Sequence, residues 1–250
     1  MHSGTVVVLK KKKLLKYLAI SCICVSLYFF FTIETTTRQG INYQTQSIRI
    51  PLYLKVFDLF ERHFHYRWLV SQIVTQQMDD QQKVEAILRW TISHVANQPP
   101  QLPIIDDHVW HIIVRGYGVE DQMADVFATL TNYAGIKAFM LRCNGPAAAK
   151  PDHIIVTAVY FNNDWRLYDV YRRTMFVDKA DRSASIKDII ASQWQTKAVD
   201  INGIVKKSVR YKDYFEKLNI GEFDSLYRQN RSAIQDPISR FRYFLSDRKI

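Results

Sequence analysis

Three hydrophobic patterns succeed one another along this chain. From Leu14 to Ile33 the run LLKYLAISCICVSLYFFFTI is apolar almost throughout, close to the roughly 20 residues that cross a bilayer as a helix. In LYLKVFDLFERHFHYRWLVSQIV, Leu52 to Val74, apolar residues recur at three- and four-residue spacing, which predicts a helix. A second helix is predicted over Asp80 to Ala96, opened by the acidic pair Asp79 and Asp80 and closed by Pro99, Pro100 and Pro103. Thr35 to Arg49, between the apolar run and the first of these helices, is polar and reads as a linker.

The pattern changes after Arg115. In RGYGVEDQMADVFATLTNYAGIKAF, Gly116 and Gly118 allow a tight turn into a helix from about Glu120 to Tyr133, with Ala124, Phe127, Ala128, Thr131 and Ala134 spaced as its buried face. Gly135 stops that helix, and Ile136 to Cys143 is strand-like. HIIVTAVYF and WRLYDVY then flank Asn162, Asn163 and Asp164, a hairpin signal. Helix, strand and antiparallel hairpin in succession predict an α+β domain. A simple turn at Asn163 places Asp169 opposite Thr157, on the same face as His153 but about 13 Å along the strand.

Charge and cysteine content refine this picture. The net charge of +10 over 250 residues is divided between the two ends of the chain. Lys10 to Lys13 and Lys16 precede the apolar run, and no small-residue cleavage site follows Phe31, so the run reads as a retained anchor with the lysines in the cytoplasm and the rest of the chain outside. That topology disfavours nucleic acid as a partner. Cys22 and Cys24 lie inside the anchor and Cys143 stands by itself beyond it, so the domain has no internal disulfide and no paired-cysteine metal pattern. No cofactor is implied.

The segment from Asp79 to Tyr171 resembles the transglutaminase-like domains of the papain-like cysteine superfamily. The resemblance rests on Ala124, Phe127, Ala128 and Leu130 followed by Gly135, Ile136, Lys137 and Ala138, on His153 at the start of one strand and Asp169 after Trp165 on the next, and on DDQQKVEAILRWTISHV upstream. It implies helices packed on an antiparallel sheet, and a catalytic triad of cysteine, histidine and aspartate. His153 and Asp169 match the last two. Where the family has its cysteine, at the helix start after Gly118 and Val119, this chain has Glu120, and Cys143 lies about 20 residues away, on the following strand.

A helix N-terminus and an adjacent imidazolium hold a thiolate in that family site. The same field favours a carboxylate, so Glu120 reads as an ionic stand-in for the thiolate, paired with His153 and oriented with Asp169. Two other uses stay open: a three-ligand metal site of Glu120, His153 and Asp169, or acid–base work by Glu120 with His153 in a hydrolase or transferase.

Other polar residues read as ordinary. His108 and His111 flank Trp110, Asp121 and Asp125 fall on a solvated helix face, and His63 and His65 with Glu61 and Arg67 form the polar side of their helix. Trp90 and Trp165 read as core residues. Within the remaining chain, SIKDIIASQW looks helical, KKSVRYKDYFEKL is basic and amphipathic, and RFRYFLSDRK alternates arginine with aromatics. These stretches suit either an anionic lipid surface or packing on the domain.

The resulting organisation is a cytoplasmic basic segment (1–13), a transmembrane anchor (14–33), a linker (34–50), a transglutaminase-like domain (51–177) and a helical, basic extension (178–250). The expected function is non-catalytic binding or scaffolding at a cell envelope, toward a peptide, a polysaccharide or a membrane protein. The expected location is a single-pass membrane protein with its domain periplasmic or extracellular.

Overall fold

The computed structural model describes residues 3–41, 44–106, 108–146, 149, 151–199, 209–216 and 218–230. A long N-terminal helix, α1 (Ser3–Thr32), includes a stretch of high mean hydropathy from Leu14 to Thr32 that is long and apolar enough for a membrane span or a signal sequence. The predicted linker is instead a β-hairpin, β1 (Glu34–Ile41) and β2 (Gln44–Pro51), paired antiparallel along its length. Its β-branched content suits paired strands, with Thr35 in register with Ile50 and Thr37 with Ile48.

The helix α2 (Leu52–Ile73) follows directly, and α3 (Asp80–His94) is fixed at its start by reciprocal capping. Asp79 Oδ1 accepts from the Gln82 N–H at 2.8 Å, and Gln82 Oε1 accepts from the Asp79 N–H at 3.0 Å. Short pieces β3 (Ala96–Asn97), β4 (Ile105–Asp106), α4 (Val109–Arg115) and β5 (Tyr117–Gly118) then lead to α5 (Glu120–Tyr133). Gly116 takes φ +75° to end α4, and β3 pairs with β5 in parallel. Gly135, at φ +88°, ends the approach from α5 in the left-handed region that glycine adopts without strain.

After α5 come β6 (Lys137–Asn144), β7 (His153–Phe161), β8 (Asp164–Asp169) and β9 (Thr174–Val177), joined by β10 (Gln195–Ala198) into an antiparallel sheet of order β10-β9-β8-β7-β6. One face of the sheet meets α5, which is buried at Met123, Val126, Phe127 and Leu130 and surrounded by α2, α3 and α4. The other face, carrying Leu141, Ile154, Val156, Trp165 and Leu167, is covered by the C-terminal pieces α6 (Ile186–Ile190), α7 (Tyr211–Phe215) and α8 (Phe223–Asn230). Burial of Tyr211, Tyr214, Phe215 and Phe223 shows that this part of the extension packs on the domain. Most of KKSVRYKDYFEKL before α7, and all of RFRYFLSDRK, lie outside the described residues.

One side chain of α2 differs from expectation. His63 is buried rather than solvated, with Nδ1 3.1 Å from the Tyr133 hydroxyl of α5, and the neighbouring Arg62 is buried as well and donates to Asp58. Trp165 is a core residue, as its setting between Phe139 and Phe223 shows, whereas Trp90 is partly buried and stacks on His94.

Candidate functional site

The start of α5 is held by a small polar network. Gln122, one turn into the helix, accepts through Oε1 from the Val119 N–H at 3.3 Å and from Arg115 Nη2 at 2.6 Å, and donates through Nε2 to the Ile105 carbonyl at 2.7 Å. Gln122 is buried, so these bonds fix the helix entry against β4 and β5 rather than leaving it to fray. A Cβ at Gly118 would meet Gln122 at 3.1 Å, so the close approach of the chain at this entry suits glycine.

Glu120, the first residue of α5, turns toward the sheet. The β7–β8 ladder runs from Phe161 paired with Asp164 to Thr157 paired with Tyr168, so the Ile155 N–H lies past its end. Glu120 Oε1 accepts from that N–H at 2.7 Å, which satisfies a donor the sheet leaves over. The same oxygen takes a second partner, Arg172 Nη1, at 2.5 Å. Arg172 sits in the turn after β8 and also reaches Asp169 Oδ2 at 3.0 Å, so one guanidinium bridges two carboxylates. Asp169 is completely buried, and Arg172 and Glu120 are only 13% and 20% exposed.

Asp169 has further donors. Its Oδ1 accepts from the Arg172 backbone N–H at 2.8 Å, and its Oδ2 accepts from the Tyr211 hydroxyl of α7 at 3.0 Å. Burial is the largest influence on the Asp169 carboxyl and pushes it above the ordinary carboxylate range, with the Arg172 guanidinium pulling the other way and the Glu120 charge adding to the rise. Arg172 is held protonated by the two carboxylates against its own burial.

His153 is not part of this cluster. The turn uses Asn162 and Asn163 at φ +49° and +58°, the two-residue hairpin geometry with both central residues left-handed. That tighter turn pairs Thr157 with Tyr168, one residue away from the register expected from sequence. A one-residue shift reverses the faces of a strand. Tyr168 therefore shares the α5 face with Thr157, and Asp169 lies on the opposite face, toward Tyr211, away from the face of His153.

The His153 ring instead has Nδ1 2.8 Å from Asp152 Oδ1 and 3.2 Å from Arg142 Nη2. A ring nitrogen that donates to a carboxylate cannot accept from a guanidinium, and the shorter contact assigns Nδ1–H to Asp152. This bond is the main reason the Asp152 carboxyl is held below its ordinary value.

The structure thus brings Glu120 and Asp169 together through Arg172, and leaves His153 with Asp152. Arg172, Tyr211 and the Ile155 N–H were not singled out in the sequence. Arg172 carried one local signal, its three-residue spacing from Asp169 past a strand end; Tyr211 carried none, since 42 residues separate it from its partner. Among the described residues no group of three or more His, Cys, Asp or Glu side chains could hold a metal ion. Cys143, on the same sheet face as Asp169, is buried, and that burial pushes its thiol up to about 12.

Residues 67–170 match the family model of the transglutaminase-like superfamily. Among solved structures, a candidate cysteine protease from Cytophaga hutchinsonii is 16% identical, with a TM-score of 0.38 over 54% of this chain and 46% of its own. A candidate protease from Parabacteroides distasonis is 11% identical, with a TM-score of 0.36 over 55% of this chain and 36% of its own. A TGase is 12% identical, with a TM-score of 0.36 over 74% of this chain and 49% of its own. The chain spans less than half the length of each of these proteins. No curated protein matches the chain.

Proposed function

We propose that the transglutaminase-like domain at residues 67–170 is a non-catalytic binding or scaffolding domain of a cell envelope, held outside a membrane by α1. The observation that carries this reading is the closed ion cluster of Glu120, Arg172 and Asp169. By the resemblance, Glu120 stands where the family's cysteine would be, and its carboxylate is engaged by the Ile155 N–H and by Arg172. Arg172 faces both oxygens of Glu120, Oε1 at 2.5 Å and Oε2 at 3.5 Å, and Oε1 also takes the Ile155 N–H, so the carboxylate is directed at the guanidinium and the sheet, where a nucleophile or general base would be aimed at a substrate. The guanidinium beside it cannot give up a proton to act as a base.

The hydrolase or transferase alternative needs Glu120, His153 and Asp169 in one chain of proton transfer. The His153 contact with Asp152 and the position of Asp169 across the sheet argue against that chain. The partner classes proposed for the domain are a peptide, a polysaccharide or a membrane protein. Lys10 to Lys13 and Lys16 support a cytoplasmic N-terminus by the positive-inside rule, with the domain on the other side.

The test compares wild type, Glu120→Gln and His153→Ala, each as the detergent-extracted full chain, for hydrolysis of peptide esters and acyl-glutamine amides and for equilibrium binding of short peptides and glycan fragments. The proposal expects no turnover that either substitution removes, and binding that survives Glu120→Gln with at most a several-fold loss. Turnover that falls by about 10²-fold or more in Glu120→Gln, the scale of a lost acid–base group, contradicts it.

A further inference from the structure

The helix α2 is apolar on two sides. Its inner side packs Tyr66, Leu69 and Val70 into the core beneath α5. Its outer side exposes Leu54, Phe57, Phe60, Phe64 and Trp68, with Phe57, Phe64 and Trp68 each 60% exposed or more. These five fall at spacings of three and four residues, a stripe along one side of a helix of about 33 Å. Solvated helices of globular proteins carry polar residues on that side, so a stripe of large apolar groups needs a cover.

What covers it follows from where α2 begins. The Leu52 N–H donates to the Ile33 carbonyl at 2.9 Å, so the β1–β2 hairpin returns the chain to the end of α1. There the Phe31 ring of α1 meets Tyr53 at 5.3 Å, and Tyr53 meets Phe57 at 6.4 Å. The apolar surface of α1, exposed at Tyr28, Phe29 and Phe31, therefore runs without a break into the stripe of α2. Exposed Arg67 flanks the stripe and Glu61 interrupts it, which limits immersion to the headgroup level. Trp68 near its far end has the apolar body and polar N–H that favour the same layer.

We propose that this stripe seats α2 in the headgroup and upper acyl layer of the phospholipid bilayer that α1 crosses. The domain is then held flat against the membrane along α2 rather than swinging from a tether, and the orientation of the Glu120 cluster relative to the membrane is set by the same helix. This rests on the reading of α1 as a retained anchor.

The experiment uses the full chain reconstituted into vesicles of phosphatidylcholine and phosphatidylglycerol. Vesicles are first washed at alkaline pH and floated, which checks α1 separately. Tryptophan fluorescence is then recorded in vesicles carrying a nitroxide high on the acyl chain or one near the bilayer centre, for wild type, Trp68→Phe, and the double variant Phe57→Glu, Phe64→Glu. The proposal expects strong quenching by the shallow nitroxide that Trp68→Phe removes, weaker quenching by the deep one, and loss of quenching in the double variant with an unchanged melting temperature.

A chain that stays with the vesicles but shows equal shallow quenching in wild type and Trp68→Phe overturns the seating of α2 and leaves the anchor standing. A chain that washes off overturns both readings. Loss of a dimer in detergent on Phe57→Glu, Phe64→Glu, with no Trp68 quenching in vesicles, assigns the stripe to a second copy and also overturns the proposal.

Discussion

Arg172→Met keeps the apolar stem of the side chain and removes the charge that joins Glu120 to Asp169. Removing one partner of a buried ion pair costs about 3–5 kcal/mol, because the remaining charge has lost its compensation. Asp169 keeps two donors in this variant, the backbone N–H of residue 172 at 2.8 Å and the Tyr211 hydroxyl at 3.0 Å, which places the loss near the lower end. At about 2–4 °C per kcal/mol for a chain of this size, the melting temperature at neutral pH drops by about 6–12 °C.

The pH dependence has a definite sign. Burial already raises the Asp169 carboxyl above its ordinary value, with Arg172 opposing the rise. A carboxyl raised in the folded state binds protons more tightly there than in the unfolded chain, so its contribution to stability is lost as pH rises from the unfolded value of about 3.9 toward the folded one. Without Arg172 the folded value climbs further and the loss extends to higher pH. Thermal unfolding followed by circular dichroism on the detergent-extracted full chain therefore finds the variant close to wild type near about pH 4 and furthest below it at neutral pH. An equal deficit at both pH values, or one below about 1 kcal/mol at neutral pH, refutes the buried bridge.

Three further outcomes follow from single contacts. Tyr211→Phe removes one donor from a fully buried carboxylate and costs about 1–3 kcal/mol by chemical denaturation; no measurable change means that α7 does not hold Asp169. Asn163→Ala places an alanine at φ +58° in the hairpin turn and costs about 1–2 kcal/mol in the same assay, whereas Asn163→Gly is neutral or slightly stabilising. Cys143, with its thiol buried and pushed up to about 12, resists alkylation near neutral pH in the folded chain and reacts on unfolding; rapid labelling of the native protein, read by mass spectrometry, contradicts that burial.

Much of the fold was legible because it is written locally. Asp79, Gly135 and the Asn162–Asn163 turn each act over a few residues, and each marks an element that the structure contains. The hairpin at Glu34–Pro51 was obscured by its polar composition, although its threonines are good strand formers. In the site, the position of Glu120 at the start of α5 was legible, but its partners were not. Whether His153 shares a face with Asp169 depends on a one-residue choice of register, set by turn geometry that alternation alone does not determine, and the partner that Glu120 does have, Arg172, lies 52 residues away. The buried side of the C-terminal extension was hidden for a similar reason, since Tyr211 and Tyr214 face partners that lie far away in the chain.

The most direct test of the central claim puts a thiol at the position of Glu120. In a Cys143→Ala background, Glu120→Cys is alkylated as a function of pH, alone and combined with Arg172→Met or His153→Ala. With Arg172 as the counter-charge at the start of α5, the thiol reacts as a thiolate well below the ordinary value of about 8.5, keeps that behaviour in His153→Ala, and loses it in Arg172→Met. A thiol that depends on His153 and not on Arg172 contradicts the account and points to an assembled catalytic site, and one that behaves ordinarily in all three removes the ion cluster as the organising feature of this domain.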